Sequence, residues 1–239
     1  MRSVGASHIG KVRTENQDVI FFSDQPVGKL NNLYIVADGM GGHQAGGYAS
    51  SYTVERFVEL LRISENEDVI ESMRQAILTV NQELLNKCRE DTSYAGMGTT
   101  IVAATVCGEQ VVVMNIGDSR LYFGDKELRQ ITVDHSYVEE LVQAGAIERN
   151  QSRLHPRKNL ITRAVGAVSA EPDFFEFTAN EGYLLLCSDG LTNMIADDEL
   201  KELLLDHSQL ENKASQLINR ANEYGGKDNI SLVIVELGN

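Results

Sequence analysis

The sequence has few cysteines, few prolines and no long apolar run. Its three cysteines, Cys88, Cys107 and Cys187, form no C-x-x-C pair and are odd in number, which argues against a thiolate zinc site and a disulfide framework. We expect each to be a small buried side chain in a reducing compartment. No apolar stretch approaches the roughly 18 residues that a membrane helix needs, and MRSVGASHIGKVR lacks the apolar part of a signal peptide. These features predict a cytoplasmic protein with no membrane partner.

Basic residues are scarce relative to acidic ones. The 239 residues include 21 basic and 35 acidic side chains, for a formal net charge of −14, and no basic run is present. Such a surface repels nucleic-acid phosphates, so we expect no nucleic-acid partner. With only three prolines and no Ser/Gly-rich tract to divide the chain, we expect a single domain over 1–239.

Apolar periodicity predicts helices in two pairs. Apolar residues recur at three- and four-residue spacing over about 44–61, 67–89, 197–205 and 210–224. Runs rich in valine, isoleucine, leucine and threonine predict strands over 33–37, 99–106, 110–115, 121–124, 183–187 and 230–235. Several of these runs are continuously apolar, which is typical of strands covered on both faces. The grouping favours α+β layers over a Rossmann alternation.

Aspartates stand at the ends of strands. Taken in chain order they are Asp18, Asp38, Asp118, Asp189 and Asp228. If these strand ends meet at one edge of the sheets, several like charges lie close together, and cations are the economical way to neutralise them. One such aspartate alone is usually a turn or cap residue, but five caps together would be a rare coincidence. The pattern therefore predicts a metal site.

The ligand type indicates which metal binds. Aspartate oxygens without histidine or cysteine suit hard ions such as Mg²⁺ or Mn²⁺ rather than zinc. Glycines beside these aspartates, such as Gly39, let the backbone turn sharply and bring a carbonyl near an ion. Two metals about 3.5–4 Å apart can activate a bridging water for attack on phosphorus. Arg13, five residues before Asp18, could clamp the phosphate through its guanidinium, and the alternative is a surface arginine.

Six short motifs follow one another along the chain. They are R-T-E-N-Q-D at 13–18, A-D-G-M-G-G-H at 37–43, M-G-T-T at 97–100, N-I-G-D-S-R at 115–120, C-S-D-G-L at 187–191 and G-K-D-N-I-S at 226–231. In this order they resemble the type 2C, or PPM-family, metal-dependent Ser/Thr protein phosphatases in their compact bacterial form. The resemblance implies an α+β fold, with a central β-sandwich of two mainly antiparallel sheets flanked by helix pairs. It also implies hydrolysis of phosphoserine and phosphothreonine on proteins through a metal-bridging hydroxide.

The resemblance implies a role for each metal ligand. Asp38 would bridge two Mn²⁺ or Mg²⁺ ions, and the carbonyl of Gly39 would bind one of them. Asp189 and Asp228 would complete the pair, and Asp18 would act mainly through metal-bound water. A third, weaker metal site would use Asp118 together with Asp189.

Further expectations concern the substrate. By the same resemblance, Arg13 matches the arginine that holds the substrate phosphate, and 135–158 corresponds to a mobile flap that influences substrate choice. The implied partners are phosphorylated proteins and a cognate Ser/Thr kinase, and we expect a monomer. One position departs from the family, because Met40 stands where some members have a histidine proposed as general acid. His43 or a metal-bound water could supply that proton, and the sequence leaves the choice open.

Other phosphatase and hydrolase mechanisms lack their motifs here. None of the three cysteines has an arginine six residues on, as cysteine-dependent phosphatases require, and no Walker A, G-x-S-x-G or H-E-x-x-H motif is present. Two alternatives stay open. One is a two-metal phosphoesterase acting on small molecules or nucleotides. The other is a non-catalytic phosphoprotein-binding module, although loss of the metal aspartates would be expected there and all five are present.

Overall fold

Two antiparallel sheets form the centre of the protein. The structure is a computed structural model that describes residues 1–41, 45–152 and 155–238. Within them the strands are β1 (Arg2–His8), β2 (Asp18–Ser23), β3 (Leu33–Met40), β4 (Gly98–Thr99), β5 (Ile101–Cys107), β6 (Gln110–Ile116), β7 (Arg120–Gly124), β8 (Leu128–Gln130), β9 (Asp173–Thr178), β10 (Gly182–Cys187) and β11 (Ile230–Leu237). One sheet has the order β1-β11-β10-β7-β8 and the other β2-β3-β5-β6-β9, with β4 paired to β3.

Helices cover the outer faces of both sheets. In the described residues they are α1 (Ala45–Ile63), α2 (Val69–Glu90), α3 (Tyr137–Gln143), α4 (Arg149–Ser152), α5 (Asp189–Thr192), α6 (Asp197–Leu204) and α7 (Leu210–Glu223), with a 3₁₀ turn at Thr92–Tyr94. The four long helices predicted from periodicity are confirmed with ends shifted by one or two residues, except that position 44 lies outside the described residues. No described helix has both the length and the apolarity to cross a membrane.

Alternation along the central strands explains the layers. In β3, Ile35 packs in the apolar cluster that holds α1 and α2, whereas Val36 packs in the cluster between the two sheets. In β10, Leu186 belongs to the cluster between the sheets and Leu185 to the one that holds α6 and α7. Because successive side chains point to opposite faces of a strand, each central strand is buried on both sides. The predicted α-β-β-α layers are therefore confirmed.

Some elements differ from the sequence expectation. β8 was not predicted, nor were β1 and β9, and all three form sheet edges. Both β1 and β9 have many partly exposed side chains. Their sequences, RSVGASH and DFFEFT, therefore lack the continuous apolar run of a central strand. The cysteine expectation is correct for Cys187, which is buried, but Cys88 is only partly buried and Cys107 is exposed. Cys107 ends β5 beyond the covered part of the sheet, which explains its exposure.

Candidate active site

Two of the predicted metal ligands face each other on neighbouring strands. Asp18 begins β2 and lies directly opposite Asp38 of β3 in the antiparallel register. Like charges at opposed positions repel, so this pair requires a compensating positive group or a proton. Gly39 follows, where any Cβ would overlap the carbonyl oxygen of Gly46 in the first turn of α1. Glycine therefore allows the start of the helix to lie against the end of β3.

The other three aspartates lie at the same end of the sandwich. Asp118 occupies the turn between β6 and β7, Asp189 follows β10 at the start of α5, and Asp228 comes just before β11. After loss of water from around the carboxyl group, the charges of Asp18, Asp189, Asp118 and Asp228 all raise the pKa of Asp38. The structure thus brings together all five aspartates that the sequence singled out.

Crowding and burial favour protonation of this cluster. Loss of water is the largest cause that raises the pKa of Asp18 to about 7, with further contributions from the charges of Asp189 and Asp228. Loss of water, followed by the charge of Asp228, raises the pKa of Asp189 to about 6. The pKa of Asp118 is also well above its usual value, first through burial and then through Asp189. Positive charge placed among these groups would therefore be strongly favoured.

Protein partners hold several of the carboxylates. Ser188 donates a 2.8 Å hydrogen bond to Oδ2 of Asp18, and Asn193 donates one of 2.8 Å to Oδ2 of Asp189. Among residues 1–41, 45–152 and 155–238, no three acidic, histidine or cysteine side chains are gathered closely enough to hold a metal ion as they stand. Coordination would therefore require the carboxylates to move closer together around the ion.

Unsatisfied oxygens show that the cluster fits a hard metal ion. Oδ1 of Asp18 and Oδ1 of Asp189 are buried and accept no hydrogen bond from the described residues. A buried carboxylate oxygen without a partner is costly, and a divalent cation would satisfy it. The available donors are carboxylate and carbonyl oxygens, which Mg²⁺ and Mn²⁺ prefer. The residues present therefore suit the predicted metals.

Arg13 lies at the rim of the cluster. Its Nη2 donates to Oδ2 of Asp228 at 2.7 Å, and its side chain is 54% exposed. The hydrogen bond to Asp228 raises the pKa of Arg13, with smaller contributions from the charges of Asp228, Asp38 and Asp189. Arg13 is therefore a cation next to the carboxylates with about half of its side chain open to solvent, as a phosphate clamp requires.

The predicted flap begins and ends next to the cluster. Residues 135–158 contain α3 and α4, and positions 153 and 154 lie outside the described residues. His135, the first residue, accepts a hydrogen bond from the amide of Gly117 at 3.1 Å through Nδ1. At the other end, Nζ of Lys158 donates to Oδ1 of Asn193 at 3.0 Å. The two ends thus contact the segments that carry Asp118 and Asp189.

Sequence reasoning missed the residues that support the aspartates. Thr100 accepts from the amide of Asp38 at 3.0 Å, and its hydroxyl bonds that of Ser119 at 2.7 Å. Arg120 forms a largely buried ion pair with Asp134 at 2.7 Å beside the flap. Thr100, Ser119 and Arg120 belong to the quoted M-G-T-T and N-I-G-D-S-R motifs, so motif membership was the available signal. Met40, which stands at the position of the family histidine, ends β3, and the candidate general acid His43 lies outside the described residues.

Comparison with known proteins agrees with this architecture. Residues 4–232 match a family model described as protein phosphatase 2C. The serine/threonine phosphatase stp of Listeria monocytogenes is 41% identical over 239 residues, a match that covers 95% of this chain and 92% of that protein. The crystal structure of the serine/threonine phosphatase Stp1 from Staphylococcus aureus has a TM-score of 0.92 at 32% identity, covering 99% of this chain and 95% of that one.

One similar structure contains metal ions. The catalytic domain of the serine/threonine protein phosphatase PstP, in complex with two manganese ions, has a TM-score of 0.88 at 30% identity and covers 100% of this chain and 98% of that chain. This finding confirms the predicted use of two Mn²⁺ or Mg²⁺ ions. The chain therefore belongs to the protein phosphatase 2C family of metal-dependent Ser/Thr protein phosphatases.

Proposed function

We propose that the five clustered aspartates and the carbonyl of Gly39 hold the divalent metals with which this enzyme hydrolyses phosphoserine and phosphothreonine on proteins. The observation that carries the proposal is the convergence of Asp18, Asp38, Asp118, Asp189 and Asp228 at one end of the sandwich, with charges that raise the pKa of Asp38. When bound, a pair of Mn²⁺ or Mg²⁺ ions supplies an activated water and neutralises charge that develops on the phosphoryl group.

Each residue has a defined task in this proposal. Asp38 is central, because its pKa responds to all four other carboxylates, and it would bridge the two metals. Asp189 and Asp228 would complete the pair. Asp18, whose Oδ2 accepts from Ser188, would act mainly through metal-bound water, from which its Oδ1, unpaired among the described residues, can accept a hydrogen bond. Asp118 and Asp189 would hold the third, weaker metal, which is supported by the charge of Asp189 raising the pKa of Asp118.

Arg13 orients the phosphate in this scheme. Its guanidinium lies 2.7 Å from Asp228 and is 54% exposed, so it can turn toward a phosphate at the rim. A guanidinium matches two phosphate oxygens at once, which fixes the substrate in front of the carboxylates. We expect Arg13→Ala chiefly to raise KM for a phosphopeptide.

The setting of the enzyme is also proposed. Substrates would be proteins phosphorylated by a Ser/Thr kinase, in a cytoplasm whose reducing conditions suit the free thiols of Cys88, Cys107 and Cys187. A single domain over 1–239 is supported by the continuous layers and by a family match from 4 to 232. A monomer is supported by exposed apolar side chains that lie singly on separate elements, such as Phe22 and Ile63.

The test is phosphate release from a phosphothreonine peptide in Mn²⁺, Mg²⁺ or EDTA. Wild type is expected to require metal, and Asp38→Asn is expected to abolish turnover while the circular dichroism spectrum stays unchanged. Asp24→Asn is the matched control, because Asp24 follows the far end of β2 and bonds Tyr34 instead of the cluster. Normal turnover by Asp38→Asn, or full activity in EDTA, would contradict the assignment.

A further inference from the structure

The loop that carries Arg13 is docked on the segment that carries Asp228. The amide of Lys11 donates to the carbonyl of Gly226 at 2.7 Å. Gly10 has a φ of 83°, and a Cβ at this position would overlap the carbonyl oxygen of Asp228. Only glycine therefore allows the two backbones to approach this closely.

One buried side chain holds both ends of this loop. Asn229 is 5% exposed, and its Nδ2 donates to the carbonyls of Ile9 at 3.0 Å and Glu15 at 2.9 Å. Its Oδ1 accepts from the amide of Gln17 at 2.9 Å. Three backbone groups on either side of Arg13 thus depend on the amide group of Asn229. Because the loop is exposed from position 11 to position 16, few apolar contacts are available to fix it instead.

The same loop continues into the segment that carries Gly39. The carbonyl of Gln17 accepts from the amide of Gly39 at 3.1 Å and from the hydroxyl of Ser50. The Arg13 loop is therefore attached to Asp228 through Asn229 and to Gly39 through Gln17. A long exposed arginine can orient a phosphate for reaction only if its backbone is fixed relative to the metal ligands.

We propose that Asn229 is a positioning residue. By fixing the backbone on both sides of Arg13, it holds the guanidinium in a defined position relative to the metal ligands Asp228 and Gly39. The phosphate can then contact the arginine and the metal-binding carboxylates in one geometry. This inference rests on the proposed role of Arg13 as phosphate clamp. It assigns to Asn229 a contribution to substrate binding that is transmitted through the loop backbone.

The first test compares two buried asparagines. Asn229→Ala is expected to raise KM for a phosphothreonine peptide about tenfold with a smaller loss of kcat, as expected when a misplaced group weakens substrate binding. Mn²⁺ affinity measured by calorimetry is expected to stay within about threefold, since Asn229 holds the loop and not the metal. The control is Asn32→Ala, which removes an equally buried amide that bonds both backbone groups of Val106.

Asn32 lies just before β3, at the end of the strand remote from Asp38. At roughly 3.3 Å per residue, the two residues are about 20 Å apart. The control variant Asn32→Ala is expected to lose stability, with KM and kcat unchanged. If Asn229→Ala does not fold, Asn229→Asp serves instead, because it keeps the size and the acceptor but loses both N–H donors. An unchanged KM in the folded variant would overturn the inference.

A double-mutant cycle separates this inference from the proposed function. If Asn229 acts through Arg13, then Arg13→Ala in the Asn229→Ala background adds little to the rise in KM. Additive effects of the two substitutions would overturn the coupling. If Arg13→Ala alone leaves KM unchanged, the clamp role itself fails. If Arg13→Ala raises KM and Asn229→Ala does not, only the positioning role fails.

Discussion

Replacing Asp18 by asparagine is expected to stabilise the fold in EDTA, although Asp18 belongs to the active site. Asp18 is 7% exposed and lies opposite Asp38, with Oδ1 unpaired among the described residues. Its pKa rises from 3.8 to about 7, chiefly through burial, with hydrogen bonds from Ser188 and Ser231 opposing the shift. The ionised group is thus less stable in the folded chain than in the unfolded one.

The size of the effect follows from linkage. A rise from 3.8 to about 7 is about 3 units, and at 1.36 kcal/mol per unit it corresponds to about 4 kcal/mol of lost stability above pH 7. The amide of asparagine carries its own cost of burial, so we expect Asp18→Asn to recover only about 2 kcal/mol. In a chain of this length that corresponds to roughly 4–8 °C in Tm.

The proton balance at Asp18 decides whether stability rises or falls with pH. Between pH 3.8 and about 7 the folded state binds more protons at Asp18 than the unfolded state, so stability falls as pH rises through this window. The excess Tm of Asp18→Asn should therefore be largest at pH 8 and should disappear as pH falls below 3.8, because both states are then protonated.

The assay is thermal unfolding in EDTA and in Mn²⁺, with Asp24→Asn as control. Mn²⁺ should raise the Tm of wild type more than that of Asp18→Asn, because stabilisation by a ligand of the folded state grows with the logarithm of its affinity. Equal or lower Tm for Asp18→Asn in EDTA at pH 8 would refute the electrostatic reasoning.

Three further outcomes are expected. Asn193→Ala removes the donor to Asp189, and Mn²⁺ affinity by calorimetry should fall about tenfold; unchanged affinity would exclude this support role. Lys213→Met deprives Asp206 and two backbone carbonyls of a buried ammonium, and urea unfolding should show a loss of about 2–4 kcal/mol with normal KM and kcat. Burial lowers the pKa of His135 from 6.5, so its contribution to stability should be lost as pH falls below about 6.5; a His135→Gln variant with the same Tm–pH curve would contradict this.

The central layers could be predicted from the sequence because their patterns are local. The spacing of Met73, Ile77, Val80 and Leu84 along α2 identifies a helix with one buried face, and the continuous apolar run of β10 identifies a covered strand. Edge strands carry a weaker signal, since water covers part of their surface. For this reason β1, β8 and β9 were missed, although β1 pairs with β11 along positions 230–236.

The ligands of the site could be predicted, but the contacts made by their supporting residues could not. Each aspartate is marked by its place at a strand end and by a short motif. Asn229 lies in the motif at 226–231, but its partners Ile9, Glu15 and Gln17 are separated from it by more than 200 positions and meet it only in the folded chain. The same holds for Ser188, whose hydroxyl bonds Asp18 across the two sheets. Such contacts depend on how the sheets pack, which periodicity and spacing do not specify.

The most direct test of the account is anomalous diffraction from crystals of the enzyme grown with Mn²⁺. We expect two strong anomalous peaks among Asp38, Asp189, Asp228 and the carbonyl of Gly39, and a weaker third peak beside Asp118 at high Mn²⁺. Peaks at another place on the surface, or none at this end of the sandwich, would contradict the claim that these carboxylates hold the catalytic metals.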